Sequence, residues 1–417
     1  MQYALPYGKT TQLISIPESY SVEFVLGLST QKSPDLKVLI EKAFSNPLDS
    51  ALISDIIHTG NSVVIVVDDY TRPCPTKQLL PHLLRILKKL GIPASDITIL
   101  IATGTHHSPN QDQLKQLLGK RIVQEYKVVS NDNKTSEYVP IGRSTFDHEM
   151  SINKIYVDAD VKIILSDIEY HYFAGFGGTR KSILPGIASK VTIQQNHAMM
   201  FDEHAATGEL EKNPVSIEMQ EAFNMVGCDF CIGVVLDQDH QVVGIWTGDA
   251  SKVMDQGVKM VKQLYSKKIN CEPDVIITAA DGLPHDINLY QSLKALHTAS
   301  TVIKNNGSIV LAAECKDGLG NSLYQHWLER YGTAEEVQKQ LKNHFEIGAH
   351  KAYYHRDIIE RFTVYLSSNF HSSYVQKKLG FIPMKTIQES FNCIVSDNKD
   401  VEKILIVPNG STTFLFR

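Results

Sequence analysis

The feature that most constrains the fold of this chain is a series of short apolar runs separated by stretches with helical patterning. Each run is rich in valine, isoleucine and leucine and lacks polar–apolar alternation, which is typical of strands buried on both faces of a parallel sheet. Strand–helix alternation of this kind predicts doubly wound α/β sheets. The runs are SVVIVV at 62–67, ITILIA at 97–102, VKIILS at 161–166, CIGVVL at 231–236, DVIITA at 274–279, SIVLAA at 308–313, FTVYLS at 362–367 and KILIVP at 403–408.

Three of the intervening stretches have clear helical patterns. Residues 76–91 place leucines on one side, and Pro81 is acceptable there if it lies in the first turn. Residues 251–268 form a second candidate helix. Residues 333–344 begin with threonine and carry glutamate three positions later, which is a capping-box pattern.

The length of 417 residues and the hydrophobic content of 43% suffice for two hydrophobic cores. The polar stretch YSKKINCEP at 265–273 separates a predicted helix from a predicted strand and is the expected boundary. We therefore predict two doubly wound α/β domains with largely parallel sheets, covering 1–268 and 269–417. The active site is expected in the cleft between them.

The charge and composition disfavour several classes of function. A net charge of −5 without a basic block argues against a nucleic-acid partner. No stretch approaches the roughly 18 apolar residues of a membrane span, and the N-terminal segment has no signal-peptide pattern. Six scattered cysteines do not form a disulfide framework, so we predict a cytoplasmic protein with reduced thiols. Cys228 and Cys231 are expected to be core residues, because no second pair follows at zinc spacing.

Polar residues collect directly after the predicted strands, where ligands bind in open α/β sheets. The first run is followed by DDYTRPCP at 68–75, in which Arg72 offers a planar fork suited to a carboxylate or phosphate. A local Asp–Arg pair in a helix-start turn would explain these residues equally well. The second run is followed by ATGTHHSP at 102–109, whose histidine pair suits proton transfer or metal binding, or simply a surface loop.

The third run leads into the segment with the most unusual composition, SDIEYHYFAGFGGTRKSILPGIA at 166–188. Gly177 and Gly178, followed by Thr179-Arg180-Lys181, suggest an anion cradle of backbone N–H groups and cationic side chains. The segment has neither Walker-loop nor dinucleotide-fingerprint spacing. In the C-terminal half, DGLPHD after a strand precedes LYQSLKAL, where Tyr290 and Lys294 share a helix face.

These motifs together resemble the nickel-pincer lactate racemase family over residues 60 to 300, with weaker similarity in IGAHKA at 347–352. The family resemblance implies a nickel-pincer nucleotide, nickel pyridinium-3,5-bisthiocarboxylate mononucleotide, attached covalently at Lys181 in a cofactor-binding N-terminal domain, with the C-terminal domain closing over the substrate. It also implies that His197 binds nickel and that His106 and His171 are the acid/base pair. The motifs that carry the resemblance are DDYTRPCP, ATGTHH, EYHYFAGFGGTRKSILPGIAS, the later NH, and LYQSLKA.

By the same resemblance, a second group of positions contacts cofactor or substrate. The cofactor-binding positions are Asp69, Tyr70, Thr71, Arg72, Gly177 and Gly178, and the substrate-binding positions are Arg72, Tyr290, Gln291 and Lys294. The chain has His107 where the family often has arginine, and we assign the acid/base role to His106.

The implied reaction is inversion of the C2 stereocentre of lactate or a larger 2-hydroxy acid by reversible proton-coupled hydride transfer. Separate enzymes that build the cofactor are the implied partners, with no nucleic acid or membrane. Two other hypotheses stay open: a hydrolase or lyase with zinc or iron held by His106, His107, His171 and a carboxylate, and a phosphate-ligand or cofactor carrier that keeps Lys181. The carrier would not need both His106 and His171, whereas the hydrolase lacks a compact ligand motif.

Overall fold

The computed structural model describes residues 1–25, 34–343, 345–346 and 348–417. They form two compact units: a central unit of residues 34–263, and a terminal unit of residues 1–25 and 264–417. Residue 347, the first of the IGAHKA stretch, and residue 344, the last of the predicted helix at 333–344, lie outside the described residues.

Strands occur throughout both units. Their bounds are β1 Gln2–Tyr7, β2 Thr10–Ser15, β3 Ser21–Phe24, β4 Val63–Asp68, β5 Ile97–Ala102, β6 Lys127–Ser130, β7 Tyr138–Arg143, β8 Glu149–Asn153, β9 Val161–Asp167, β10 Tyr170–His171, β11 Gly175–Phe176, β12 Phe230–Leu236, β13 Val242–Gly248, β14 Ser266–Lys268, β15 Val275–Ala279, β16 Ser308–Ala312, β17 Thr363–Ser367, β18 Ile382–Met384, β19 Lys403–Val407 and β20 Phe414–Phe416.

Helices connect most of the parallel strands. Their bounds are α1 Leu36–Ser45, α2 Ile53–Ile56, α3 Thr76–Lys89, α4 Gln111–Leu118, α5 Lys120–Glu125, α6 Lys154–Asp158, α7 Lys190–Ala198, α8 Pro214–Val226, α9 Ala250–Tyr265, α10 Leu289–Ser300, α11 Ser322–Arg330, α12 Ala334–Asn343, α13 His350–Arg361, α14 Ser372–Tyr374 and α15 Ile387–Asp397. Short 3-10 turns cover Ala94–Asp96, Thr179–Ser182 and Met199–Phe201, and a π turn covers Val375–Leu379.

The central unit contains a six-stranded sheet in the order β13-β12-β9-β4-β5-β6. Its strands are parallel except for β13, which runs antiparallel to β12 at one edge. Strand β4 therefore lies between β9 and β5. The chain adds β5 and β6 on one side of β4 and later adds β9, β12 and β13 on the other side. The doubly wound prediction is confirmed, and this order places a topological switch point between β4 and β9.

The terminal unit contains a second six-stranded sheet, in the order β18-β17-β16-β15-β19-β3, with every pair parallel. Here the switch point falls between β15 and β19. The core on one face of this sheet includes residues from the N-terminal hairpin, among them Leu5 and Ile14. The first 25 residues thus help to build the core of the terminal unit.

The structure differs from the sequence-based prediction at four places. Residues 1–25 lie with residues 264–417, whereas the prediction grouped them with 1–268; a short strand such as β3 does not specify its partner, and the free edge of β19 provides one. Strand β13 departs from the parallel pattern. The predicted helix at 251–268 ends at Tyr265, because residues 266–268 pair with β20. Pro81 is the sixth residue of α3, beyond its first turn.

Several local expectations are confirmed. All eight apolar runs form buried strands. Thr333 and Glu336 exchange hydrogen bonds at the start of α12, as the capping box predicts. The six cysteines are free thiols, with Cys231 buried in β12 and Cys228 partly buried just before it.

Candidate active site

The predicted site residues of the central unit gather where β4, β5 and β9 end. Asp69 follows β4, His106 follows β5, and Glu169 follows β9. Because the carboxyl ends of parallel strands meet at one edge of a sheet, the three loops lie side by side next to the switch point. The sheet therefore brings residues that are far apart in sequence together in one polar cluster.

Asp69 and His106 form the shortest charged contact in this cluster. Asp69 Oδ2 lies 2.6 Å from His106 Nδ1, and Asp69 Oδ1 accepts hydrogen bonds from the Thr71 hydroxyl at 2.6 Å and the Thr71 N–H at 2.9 Å. Burial raises the pKa of Asp69, but the hydrogen bond and charge of His106 and the bond from Thr71 outweigh burial and lower it. A buried carboxylate that accepts from Nδ1–H leaves the lone pair of the His106 ring on Nε2.

Arg72 is paired across the sheet edge and not within its own turn. Its Nη1 donates to Glu169 Oε1 at 3.0 Å. Burial opposes the charge of Arg72, but the carboxylates of Glu169 and Asp167 raise its pKa above the ordinary value. The direct ion pair of Arg72 is therefore not the local Asp–Arg pair that its turn suggested, and nothing in the sequence indicated that Glu169 was the partner.

Beneath this pair, Asp68 and Asp167 form a buried carboxyl pair. Asp68 Oδ2 accepts from the Asp167 N–H at 2.8 Å, and the two side chains also share a hydrogen bond. Burial raises the pKa of both groups, with the charge of Glu169 adding to the rise at Asp167. Two carboxyl groups this close cannot both ionise at low cost, so the pair holds a proton between them.

His171 lies on the short ribbon formed by β10 and β11. Its Nδ1 accepts a hydrogen bond from the Ala174 N–H at 3.1 Å, and its ring contacts Tyr172 and Phe173 with centroids 4.9 and 4.6 Å away. A nitrogen that accepts from an N–H carries a lone pair, so the proton of the neutral ring is on Nε2. His106 and His171 are thus held as opposite tautomers.

The glycine-rich segment is shaped by packing. Gly178 has φ +96, and a Cβ there would lie 2.7 Å from Ile168 Cγ1 and 2.9 Å from the Asp167 carbonyl oxygen. The N–H groups of Gly177 and Thr179 donate to Glu169 O and Ser166 Oγ. The predicted backbone cradle is therefore largely committed to internal hydrogen bonds, and anion binding here would depend on side chains.

The 3-10 turn after Gly178 carries two buried cationic groups. Burial lowers the pKa of Lys181 to about 7, with the positive charge of Arg72 acting in the same direction. Burial also lowers the pKa of Arg180 to about 10. Arg180 Nη2 donates to Ser216 Oγ at 3.3 Å, while its buried Nε has no hydrogen-bond partner among the described residues.

His197 lies on α7 and is 5% exposed. Burial and the charge of Lys181 lower the pKa of His197 to about 3, so its imidazole is neutral at physiological pH. Its Nδ1 lies 3.1 Å from Asn196 Oδ1, and its ring makes an edge contact with Phe173 at 5.1 Å. The lysine and the histidine singled out by the resemblance are therefore close enough to interact electrostatically.

The remaining predicted residues of this unit are less enclosed. Tyr70 is 36% exposed, and Thr71 is exposed apart from its bonds to Asp69. His107 is exposed, whereas the adjacent His106 has the contact with Asp69. The geometry thus distinguishes the two neighbouring histidines, of which the sequence analysis preferred His106.

In the terminal unit, Tyr290, Gln291 and Lys294 lie in the first turns of α10. Asn288 caps this helix by accepting from the Gln291 N–H at 3.0 Å. Burial raises the pKa of Tyr290 to about 12. Lys351, the lysine of the weakly similar IGAHKA stretch, to which the sequence assigned no role, places Nζ 5.7 Å from the centre of the Tyr290 ring and is 5% exposed. Burial, together with the positive charge of Lys294, lowers the pKa of Lys351 to about 7.

The switch point of this unit carries a strained acidic residue. Asp281 follows β15 with φ +63, and its Oδ1 accepts from the Ser411 N–H at 3.1 Å. Its Oδ2 is buried without a hydrogen-bond partner among the described residues. Burial raises the pKa of Asp281 to about 7, although Ser411, Thr412 and Lys294 act to lower it.

Comparison with known proteins assigns the family. The model of the lactate racemase N-terminal domain matches residues 7–208, and that of the lactate racemase C-terminal domain matches residues 267–415. The chain belongs to the lactate racemase family. Lactate racemase of Thermoanaerobacterium thermosaccharolyticum is 30% identical over 421 residues, and that of Lactiplantibacillus plantarum is 32% identical over 416 residues, each alignment covering 97% of both chains.

Solved structures agree with this membership of the lactate racemase family. The lactate racemase apoprotein of T. thermosaccharolyticum matches with a TM-score of 0.90 at 29% identity, covering all of both chains. A Thermotoga maritima protein matches with a TM-score of 0.67 at 19% identity, covering 94% of this chain and all of its own, which shows a shared fold.

None of the helices between residues 1 and 417 that the structure describes has the length and apolar content needed to cross a membrane. Within the same residues, no three or more histidine, cysteine, aspartate or glutamate side chains are grouped so that they could hold a metal ion.

Proposed function

We propose that this chain is a racemase or epimerase that inverts C2 of lactate or a larger 2-hydroxy acid with a nickel-pincer nucleotide linked to Lys181. The observation that carries the proposal is the pair of histidines at one sheet edge, His106 and His171, held as opposite tautomers. A racemase must accept a proton from one enantiomer and supply a proton to the other, so two non-equivalent imidazoles suit the reaction. Family membership supports the same activity.

The residues present fit the proposed cofactor. Lys181 is a buried amine with a pKa of about 7, which makes the neutral, nucleophilic form accessible for covalent attachment. His197 is a buried neutral imidazole, the form that binds metals. Arg180 is a buried cation whose Nε has no partner among the described residues, which suits an anionic group such as a phosphate. When bound, the cofactor would supply the group that takes up and returns the C2 hydrogen with its electron pair.

The protein's part of the reaction is to move the hydroxyl proton. His106 accepts that proton at Nε2, and the negative charge of Asp69 stabilises the imidazolium that results. His171 holds the hydroxyl oxygen through its Nε2–H. To give a proton to the opposite face, His171 must be an imidazolium, because loss of the Nε2 proton from the neutral ring would leave an imidazolate. His171 must therefore first bind a proton from solvent at Nδ1 and give up the bond from the Ala174 N–H, since that bond requires a lone pair there. His106 then returns its proton to solvent, and in the reverse direction the two roles exchange.

The cationic residues orient the substrate. Arg72 is fixed by Glu169 and presents a fork suited to a carboxylate. In the terminal unit, Lys294, Tyr290 and Gln291 are proposed as substrate-binding residues, since Lys294 supplies a positive charge for a carboxylate and α10 holds the three in one register. Orientation of this kind lowers the barrier by fixing the reacting geometry in advance.

The decisive experiment is measurement of intact mass, nickel content and lactate racemisation after co-production with the cofactor-building enzymes. We expect an added mass of a few hundred daltons that maps to Lys181, about one nickel per chain, and interconversion of D- and L-lactate or of a larger 2-hydroxy acid. Lys181→Ala should lose all three, whereas Lys190→Ala, at an exposed lysine at the start of α7, should keep them.

The proposal would be refuted by a chain without adduct and nickel in a host that loads a known lactate racemase. Full activity of Lys181→Ala would refute the attachment site in particular. An adduct with nickel but no turnover of any 2-hydroxy acid would instead favour the carrier hypothesis.

A further inference from the structure

A chain of buried side chains extends from His197 through Asn196 to Glu218. His197 Nδ1 lies 3.1 Å from Asn196 Oδ1, and Asn196 Nδ2 donates to Glu218 Oε2 at 2.9 Å and to the Val215 carbonyl oxygen at 3.1 Å. Asn196 is 0% exposed and Glu218 is 1% exposed. Helix α8 supplies both acceptors, so the packing of α8 against α7 sets the whole arrangement.

The far end of the chain fixes Glu218. Its Oε1 accepts from the Ser144 hydroxyl at 2.7 Å and lies 2.7 Å from His148 Nδ1, while its Oε2 faces Asn196. Ser144 and His148 flank the turn between β7 and β8. The carboxylate is therefore held from three sides and cannot easily turn away from Asn196.

The direction of each hydrogen bond follows from the chemistry of the acceptors. A carbonyl oxygen and a carboxylate oxygen can only accept, so the Asn196 group that faces both must be the NH₂. The amide oxygen then faces His197, and an amide oxygen can also only accept. The proton of a neutral His197 must consequently be on Nδ1, and the lone pair of the ring is on Nε2.

We infer that Asn196, with its amide direction fixed by Glu218, is a positioning residue that holds His197 as the Nδ1–H tautomer and so presents Nε2 to nickel. This inference rests on the proposed function of His197 as a metal ligand. Hydrogen bonds of this kind to the second nitrogen of a ligating histidine set both its tautomer and its ring orientation. No sequence pattern marked Glu218, which lies 21 residues beyond His197 on another helix.

The first test uses the apoprotein and needs no cofactor. Long-range 1H–15N correlation spectra of [15N]histidine-labelled chain, with His197 assigned by its loss in His197→Gln, should show a protonated Nδ1 and an unprotonated Nε2. Asn196→Ala should shift the proton towards Nε2, because the acceptor is gone. Asn196→Ser provides a second loss variant if the alanine variant does not fold, since a hydroxyl does not impose a direction.

The second test measures how fast a chelator removes nickel from the loaded protein. Removal of such a second partner typically weakens metal binding by about 10–100-fold, so Asn196→Ala should lose nickel at least about tenfold faster than wild type. Glu221→Gln is the matched control: it lies on α8 one turn beyond Glu218 and bonds the exposed Thr145. Glu221→Gln should change neither the His197 spectrum nor the rate of nickel loss.

An Nε2–H tautomer in the wild-type apoprotein, or an unchanged His197 spectrum in folded Asn196→Ala, would overturn the inference. Unchanged nickel loss in Asn196→Ala, beside a changed tautomer, would overturn the role in metal binding. Failure of the wild-type chain to bind nickel would refute the proposed function, while the apoprotein spectrum would still report on the tautomer by itself.

Discussion

The two switch points of this molecule use charge in different ways. At the switch point of the central unit, basic side chains have acidic partners close by, as His106 has Asp69 and Arg72 has Glu169. At the switch point of the terminal unit, Lys294 lies near the buried Lys351, and the acid nearby is Asp281, whose pKa is raised to about 7.

The difference indicates what each unit is prepared to do. Ion pairs made in advance fix side-chain geometry, because the partners cannot rotate without losing both charge and hydrogen bonds. Lys351, buried beside the positive charge of the exposed Lys294, instead favours the arrival of an anion, which relieves both burial and repulsion. Under the proposed function, the central unit is organised for proton transfer and the terminal unit for holding a carboxylate.

The largest expected effect distinguishes Asp69 of the central unit from Asp281 of the terminal unit. Asp69→Asn should lower the turnover number of loaded enzyme by about 10²–10⁴-fold, because an amide no longer accepts reliably from His106 Nδ1–H and no longer stabilises the imidazolium. Asp281→Asn at pH 6 should keep activity close to wild type, because a carboxyl with a pKa of about 7 is mostly protonated there and asparagine retains its acceptor oxygen. Chiral analysis of lactate measures the turnover of both variants. Equal losses of activity in Asp69→Asn and Asp281→Asn would contradict this difference between the two units.

A smaller effect is expected when a glycine with positive φ is replaced in each unit. Gly178→Ala should lower the denaturant midpoint of the apoprotein by the equivalent of about 2–4 kcal/mol, since the new Cβ meets Ile168 and Asp167 at a positive φ. Gly318→Ala in the terminal unit also has a positive φ, but nothing lies within 4 Å of its Cβ. It should cost only about 1–2 kcal/mol. A larger loss from Gly318→Ala would show that packing at Gly178 is looser than the contacts indicate.

The smallest effect concerns the pH dependence of stability. The folded-state pKa of Lys351 is about 7 and its ordinary value is 10.5, so between these values the unfolded chain binds more protons than the folded one. Apoprotein stability should therefore rise with pH across that window, by up to about 1.4 kcal/mol per pH unit for this one group. Lysine 181 in the central unit should add a similar rise.

Denaturant midpoints of apoprotein at several pH values between 7 and 10 test this. Lys351→Met should flatten part of the slope, because the group that exchanges the proton is gone. Lys339→Met, at an exposed lysine of α12, should leave the slope unchanged. A slope in Lys351→Met equal to that of the wild type would mean that Lys351 stays charged in the folded chain.

Much of the fold was predictable because strands buried on both faces are recognisable in the sequence as continuous apolar runs. Other features were not, because they depend on partners far along the chain. The antiparallel β13, the assignment of β3 to the sheet of β19, and the end of α9 at Tyr265 each follow from a free sheet edge. The capping box at Thr333 was predictable, since both of its partners lie within one turn.

In the site, sequence motifs identified the reactive side chains but not the groups that control them. Arg72 was predicted to bind an anion, but its partner Glu169 lies on another loop. The preference for His106 over His107 gained its physical reason from Asp69. Glu218 lay in no motif, and Lys351 lay in the weakly similar IGAHKA stretch without an assigned role, because a buried charge next to apolar neighbours resembles any other helical position in a single sequence.

The sequence by itself determined the α/β class, the family and the residue types available at each strand end, since these depend on local periodicity and on contiguous motifs. Only the tertiary structure decided which nitrogen of each histidine carries the proton, which cations are paired, and which amines are buried. Tautomers, ion pairs and pKa values depend on distances of a few ångströms between residues of different elements, and packing alone sets those distances.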